Sequence, residues 1–399
     1  MTTHHVRNVT GDRLGPLPGR RYDVVVVGAR AAGAATAMLL ARAGVDVVVI
    51  DRAAYGTDTL SSHALMQGGV DHLRRWGVLD RVAATTPAVD RSVFEFGGDR
   101  LVVDVGGELD DPLYAPRRTV LDPLLVDAAR EAGAEVCFGT RMIDLARTSS
   151  GRVCGIDVET ADGGTTRIGA DLVVGADGLR SAVARRVNAR VTRRGRHCLA
   201  SIYAYVRDAE LASDEYHFAY DDGLVGGAIP TNDAMHCVFV SMAPVAFRNH
   251  ARLDVAAALE RTLARVSPSI AAGARAGSIV GPLRSFPGHV GQFRTPHGDG
   301  WALVGDAGYF KDPVAGHGLS DAFRDAELLA DAVLTDDLEG YELVRDMLST
   351  PLFDHIESFA ALEWDAAGAR DALLNFAMAM AAESDALCKH RNAVRGAIV

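Results

Sequence analysis

The segment Gly28-Ala29-Arg30-Ala31-Ala32-Gly33 follows the β-branched run Tyr22-Asp23-Val24-Val25-Val26-Val27 and opens an alanine- and leucine-rich stretch that stops at Gly44. A turn of this spacing carries anion-binding chemistry. Gly28 permits a tight turn and Gly33 lets a helix pack closely on a strand, while the helix start offers unpaired N–H groups and a positive dipole end to a pyrophosphate. Ala29 and Arg30 lie inside the turn, and Arg30 takes the place of the second glycine of G-x-G-x-x-G, where its Cβ restricts the approach of backbone to phosphate. Asp51, with Arg52 beside it, ends the next strand, Val45 to Ile50. A carboxylate there accepts both hydroxyls of an adenosine ribose and favours one without a 2′-phosphate.

Two further turns follow strands in the same way. Gly175-Ala176-Asp177-Gly178 comes after Asp171-Leu172-Val173-Val174, and a longer segment running from Gly305-Asp306 through Pro313 to Gly316-His317-Gly318 comes after Trp301 to Val304. The acid–base candidates are His317, between two glycines, and His63, in Asp58-Thr59-Leu60-Ser61-Ser62-His63. Imidazole titrates near neutral pH, so either can donate a proton or orient a substrate. Tyr309 and Lys311 read equally well as scaffolding of the same loop. There is no G-x-S-x-G elbow, no H-E-x-x-H, and no close His/Cys grouping apart from His4-His5, so hydrolase and metal readings have nothing to rest on.

The elements that must hold these turns alternate between strand and helix. Strand, helix and strand from Tyr22 to Ile50 are repeated by the helical stretch Val120 to Ala132 with the strand at Glu135, and the later strands at Asp171 and Trp301 complete an α/β pattern with a buried parallel sheet. Between them, Ser92 to Asp104 reads as a hairpin turning at Gly97-Gly98. The runs around 198–207, 216–220, 223–230 and 236–242 read as an antiparallel sheet with one covered face, and long helical stretches close the chain.

Composition narrows the partners. The net charge of −11 has the wrong sign for holding nucleic acid or anionic lipid by bulk electrostatics, so a small molecule is the expected partner. Five scattered cysteines with no C-x-x-C pair suggest neither a disulfide framework nor a zinc site and point to a reducing cytoplasm. The polar N-terminus lacks an apolar core for a secretory signal, and no stretch reaches the ~20 apolar residues of a membrane span. Glycine is in excess, 41 of 399 residues against a usual ~7%, which asks where the backbone needs it.

At its three glycine-bearing turns the chain resembles the class A, para-hydroxybenzoate-hydroxylase-like FAD-dependent monooxygenase family, which is related to flavin halogenases and geranylgeranyl reductases. The resemblance runs from about Tyr22 to Leu334. It implies a Rossmann-like FAD-binding domain interleaved with an antiparallel substrate sheet: 1–20 as a flexible tail, 21–90, 118–190 and 291–345 as three parts of the FAD-binding domain, 91–117 and 191–290 as two parts of the substrate domain, and 346–399 as a C-terminal helical region. Carried over by position, it implies that Asp306 bonds the ribityl chain of a non-covalent FAD and that Gly316 and Gly318 bring N–H groups to the N1/C2 edge of the flavin. Gly305 and Pro313 belong to the same motif. Arg118 matches a FAD-contacting position, Met142 one whose backbone meets adenine, and Asp177 and Gly178 a motif associated with both FAD and nicotinamide nucleotide. Ser320 stands where the family has Asn.

The resemblance further implies hydroxylation or epoxidation of an aromatic or polyketide-like molecule through a flavin C4a-hydroperoxide, with O2 and NAD(P)H. The alternatives are an oxygen-independent flavin reductase acting on a carbon–carbon double bond and a catalytically silent flavin protein. No second dinucleotide turn is present, so NAD(P)H binds transiently or a separate flavin reductase delivers electrons. The arginines between Arg180 and Arg196 can attract NADPH or form a solvated face. Halogenation is disfavoured, because Val225-Gly226-Gly227-Ala228-Ile229-Pro230 replaces W-x-W-x-I-P and no lysine precedes Lys311. The same glycines read equally as open space over the flavin and as a tight strand crossing.

Overall fold

A computed structural model describes residues 19–105, 111–251 and 254–398. Most of the expected N-terminal tail and the His4-His5 pair lie outside the described residues. Within them, strands form three sheets. The first, of eight strands, has at its centre β1 (Arg21–Val27), β2 (Val47–Ile50), β5 (Glu135–Cys137), β8 (Thr165–Gly175) and β17 (Trp301–Leu303), in the parallel order β17-β8-β1-β2-β5. β16 (His297–Gly298) pairs antiparallel at its edge, and β6 (Arg141–Arg147) with β7 (Val153–Glu159) extends from β8. Val24 to Val27 and Val47 to Ile50 are wholly buried, as expected of β-branched strands covered on both faces.

The helices on this sheet are α1 (Ala31–Arg42), α2 (Gln67–Arg75), α3 (Leu79–Ala83), α4 (Arg118–Glu131) and, after the third motif, α9 (Gly318–Thr335), with α1 packed against both α4 and α9. Ala31, Ala34, Ala35, Ala37 and Leu40 of α1 are buried, so its small side chains let it lie between two helices and the sheet at close range. α5 (Ala182–Arg186) follows β8.

The second sheet has seven strands in the order β14-β10-β13-β12-β11-β3-β4. They are β3 (Arg91–Phe96), β4 (Asp99–Asp104), β10 (Ala200–Arg207), β11 (Glu215–Asp221), β12 (Leu224–Thr231), β13 (Met235–Met242) and β14 (Ser278–Phe286). The hairpin expected at Gly97-Gly98 is β3–β4, and both glycines have positive φ. Alternation sorts the strands' side chains onto two faces. Ile202, Ala204, Val238 and Val240 pack outward against α7 (Val255–Val266) and α8 (Pro268–Ala276), which follow α6 (Pro244–Ala251). Tyr203, Tyr205, Tyr216 and Cys237 face inward and join the core that contains α1, α2 and α9.

A third, small sheet of β9 (Val191–Arg194), β15 (Gln292–Arg294) and β18 (Tyr309–Phe310) braces the third motif. α10 (Leu338–Phe359) and α11 (Ala366–Ile398) close the other end of the second sheet, where Phe359, Ala369 and Phe376 pack with Phe96 and Tyr220. No helix among the described residues is long and apolar enough to cross a membrane.

Candidate functional site

The parallel strands all end on one side of the first sheet, and β1, β8 and β17 are each followed there by one of the three turns read from the sequence. Gly28 has φ +110°, and a Cβ on it would lie 2.4 Å from the Ala176 carbonyl oxygen. The first and second turns therefore touch through backbone. Gly305 has φ +58°, and its Cβ would meet Ala32 of α1 at 2.9 Å, which brings the third turn against the first helix. Ala29 N–H donates to Asp51 Oδ2 (2.9 Å) and Ala53 N–H to Asp51 Oδ1 (2.8 Å), so Asp51 locks the first turn to the loop after β2. Arg52 is exposed beside it, and Met142 is buried in β6.

Arg30 caps the start of α1 without a side-chain bond to it and reaches away, donating to the Asp58 carbonyl (3.3 Å). Its Nη1 lies 3.8 Å from Asp122 Oδ2, and both atoms are buried with no hydrogen-bond partner. Arg118, at the start of α4, holds the other oxygen of Asp122 (2.8 and 2.9 Å). Asp306 follows β17 and is open to the cleft, yet enough protein surrounds it that desolvation pushes its carboxyl up to about 6, against the pull of Arg118 and Lys311.

The second turn has a more structural part. Asp177 Oδ2 accepts the N–H groups of Ala182 (2.5 Å) and Val183 (3.2 Å) and so caps α5, while its Oδ1 is buried without a partner. Gly178, at φ +75°, has open space where a Cβ would stand.

Pro313 to Gly318 forms the far wall of the cleft. Gly316 is left-handed at φ +63°, and a Cβ there would strike Met66 Cε at 2.7 Å. Gly318 begins α9 and faces open space, and Pro313 is exposed. The side chain of His317 is buried behind this loop: its Nδ1 is 3.1 Å from Asp321 Oδ1 and 3.4 Å from Lys311 Nζ, and burial depresses it to about 3. Lys311 donates to Asp321, and Arg324 links Asp321 (3.0 Å), Asp325 (2.7 Å) and Glu383 of α11 (2.8 Å). His317, Asp321 and Glu383 present donor atoms within 4.8 Å of one another; Lys311 and Arg324 already pair with Asp321, and Arg324 with one oxygen of Glu383, whose Oε2 is buried without a hydrogen-bond partner.

His63 stands on the other side of the cleft. It is buried at a left-handed φ of +68°, its Nε2 is bonded to Tyr205 Oη, its Nδ1 has no partner, and burial together with Arg118 and Arg117 depresses it to about 3. Tyr205 also lies under the Arg117 guanidinium, 4.4 Å away. The strand register sets Tyr205 in the row beside a second inward row, Phe94, Phe218, Gly227, Phe239, Tyr203 and Arg284, each opposite the next across the sheet. Here the two readings of Gly226 and Gly227 separate in favour of the tight strand crossing. A Cβ on Gly227 would meet the Phe239 ring at 2.6 Å and one on Gly226 would meet Leu263 of α7 at 3.2 Å, so the two glycines admit neighbouring side chains and leave no hollow of their own.

These residues fit a dinucleotide. The hollow beside the first turn is lined by Ala29, Arg30, Asp51, Tyr55, Pro123 and Phe138, its buried guanidinium nitrogen lacks a partner, and Gly178 and Gly318 leave room on the cleft side. Sequence reading missed Asp122, Arg117, Tyr203, Tyr205 and the Asp321–Arg324–Glu383 chain. Two signals were available: Arg118 and Asp122 are spaced i, i+4, and Asp321, Arg324 and Asp325 recur at three and four residues on a helix otherwise rich in apolar positions.

Residues 21–339 match the family model described as FAD binding domain. Among curated proteins, the chain is 37% identical over 165 residues to the menaquinone reductase of Mycolicibacterium smegmatis, a match covering 41% of this chain and 39% of that relative. It is 28% identical over 345 residues to digeranylgeranylglycerophospholipid reductase 2 of Methanopyrus kandleri, covering 81% of each. Among solved structures, the myxobacterial chondrochloren halogenase CndH superposes with a TM-score of 0.74 at 22% identity, covering 84% of this chain and 81% of that one. PqsL, a probable FAD-dependent monooxygenase from Pseudomonas aeruginosa, superposes at 0.71 and 22% identity, covering 90% of this chain and all of that one (100%). At such identities these likenesses show the fold, the one anticipated from the three turns.

Proposed function

The chain belongs to the FAD binding domain family, and from that premise we propose that this FAD-dependent oxidoreductase is a monooxygenase that hydroxylates or epoxidises a small aromatic or polyketide-like molecule with O2 and NAD(P)H. The observation that carries the reading is the inward row of Phe94, Phe218, Phe239 and Tyr203, an aromatic floor suited to a flat ring. Bound FAD supplies the redox chemistry: two electrons from NAD(P)H, one oxygen atom delivered to the product and the other released as water.

The chain supplies position and a dry wall. The turn at Gly28 and the free Arg30 nitrogen take the pyrophosphate, Asp51 the ribose, and Asp306 the ribityl hydroxyls. The start of α9 at Gly318 turns its N–H groups toward the flavin edge, and the buried Lys311–Asp321–Arg324 network holds that start from behind. His317 and His63, neutral and buried, act as hydrogen-bonding orienters and not as imidazolium acids. In this reading the three separated α/β stretches make one FAD-binding domain and the seven-stranded sheet belongs to the substrate domain.

Turnover of candidate aromatic substrates under labelled oxygen, with NADPH or NADH consumption followed in parallel, tests the reading. A product carrying one labelled oxygen supports it; a product that gains two hydrogens at the same rate without oxygen sinks it. That second outcome belongs to the alternative, a flavin reductase acting on a carbon–carbon double bond, which is favoured by the 28% identity to a digeranylgeranylglycerophospholipid reductase over 81% of the chain.

A further inference from the structure

We infer that Lys311 couples a proton to the redox state of the flavin: its amine takes up a proton when negative charge arrives at the cofactor edge beside Gly316 and Gly318, and gives it back when that charge leaves. This rests on the proposed seat of FAD against those glycines and not on which substrate follows. Lys311 stands in the third motif between Asp306, on the ribityl side of the cleft, and His317, between the two glycines. Its side chain is buried, donates to Asp321 of α9, and has its Nζ 3.4 Å from His317 Nδ1 and 5.0 Å from the centre of the Tyr309 ring. Buried ion pairs seldom stabilise more than apolar packing would, so packing alone does not account for an amine here.

The groups around Lys311 are already committed. Arg324 is a permanent cation and donates to all three carboxylates, Asp321 (3.0 Å), Asp325 (2.7 Å) and Glu383 of α11 (2.8 Å). His317 is kept neutral chiefly by burial, with Lys311, Arg324 and His72 of α2 adding to it against Glu383. Tyr309 faces Arg324 and Arg345 of α10, and burial pushes it well above its ordinary range. Lys311 itself is balanced. Burial and Arg324 pull it down to about 7, while Glu383, Asp325 and, across the turn, Asp306 pull it up. An amine so poised changes its charge when one more negative charge comes near. Two electrons and one proton, a hydride from a nicotinamide, enter FAD and leave one negative charge at its N1/C2 edge. Lys311 Nζ then takes a second proton from water, and the charge of the site is unchanged.

Lys311 and Lys389 are the only lysines of the chain, so protein grown on lysine labelled with carbon-13 at Cε gives two NMR signals that report ammonium or amine directly. Lys311→Met assigns them. The pH midpoint of the Lys311 signal is read in the FAD-loaded protein, oxidised and then reduced under argon. It should rise on reduction by about one pH unit or more, a tenfold gain in proton affinity. The coupling is reciprocal, so the flavin potential, followed with reference dyes, gives a second readout. Near pH 6, Lys311→Met should lie below the wild type by about 30 mV or more, the same tenfold for a two-electron couple. That gap should close as pH rises past the upper midpoint, whereas Lys311→Arg, with a fixed charge, should keep its lead over Lys311→Met at every pH. A Lys311 signal that shifts on reduction with its midpoint unchanged overturns the inference alone, as does a gap between wild type and Lys311→Met that does not vary with pH. A signal whose position and midpoint both ignore reduction overturns it together with the seat of the flavin. A negative labelled-oxygen result with the midpoint shift present would remove only the monooxygenase reading.

Discussion

A Cβ placed on Gly33 would lie 1.9 Å from the Gly28 carbonyl oxygen, the tightest approach found at any glycine of the chain's described residues. The first helix meets the first turn there with no room for a side chain. Gly33→Ala is therefore expected to cost about 3 kcal/mol or more, as overpacking against rigid backbone does. Gly318→Ala is the contrast, since nothing lies within 4 Å of its Cβ position. It should change stability by no more than about 0.5 kcal/mol and, on the proposed placement of FAD against Gly318, lower FAD retention. Thermal melts paired with FAD content after desalting separate the two effects. A Gly318→Ala protein that holds FAD as the wild type does would remove Gly318 from the cofactor wall.

Glu383 of α11 accepts from Arg324 at 2.8 Å across 59 residues of sequence, and Arg324 continues through Asp321 to Lys311 and His317 behind the glycine loop. Breaking one member of a buried ion network leaves charge uncompensated. Glu383→Gln should destabilise the protein by about 3 kcal/mol and raise the dissociation constant for FAD, because the far end of the network sits between Gly316 and Gly318. Urea unfolding followed by tryptophan fluorescence, together with fluorimetric FAD titration, reads both. Unchanged FAD affinity in a destabilised variant would confine the network to a structural role.

The legible and illegible parts of the site divide along a physical line. Gly28, Gly33, Gly305 and Gly316 were visible because their need is local: a positive φ or a backbone contact dictates glycine whatever packs elsewhere. Strands β1, β8 and β17 were visible for the same reason, as buried runs each followed by such a turn. The Arg324–Glu383 link depends on how α11 crosses α9, and the row from Phe94 to Arg284 depends on the register of six strands. Register is a property of pairing, and a shift of one residue turns every side chain to the opposite face. Gly226 and Gly227 stay ambiguous in the sequence between open space and a tight crossing on this account, because the ring that fills Gly227 comes from the partner strand.

Asp306 gives a pH-dependent prediction for the flavin-free protein. Its folded-state pKa, about 6, stands above the ordinary 3.8, so the group favours folding fully below about pH 4, and that contribution is lost as pH rises through 6. Asp306→Asn should therefore match the wild type near pH 4 and exceed its stability near pH 7, by on the order of 1 kcal/mol after allowing for water in the open cleft. The same variant should bind FAD more weakly, a stability gain set against function at one residue. Denaturant midpoints of the two apoproteins at both pH values check the first part; a difference that does not change with pH contradicts the raised carboxyl.

His63 and His317 carry the opposite sign. Both are held near 3 by burial, below the ordinary 6.5, so each contributes stability that is present above pH 6.5 and lost as pH falls from there toward 3. Each histidine can add up to about 1.4 kcal/mol of lost stability per pH unit across that window. His63→Asn is the informative variant, since asparagine tolerates the φ of +68° and does not titrate. It should flatten the acid limb of the stability profile, whatever the loss of the Tyr205 partner does to the plateau. Because neither imidazole charges between pH 5 and 8, kcat/KM should show no imidazole inflection there. Histidine ring signals followed by NMR across pH 4–8 decide the matter: a His63 or His317 that titrates near 6.5 would restore it as a candidate proton donor and overturn the orienting role assigned to it.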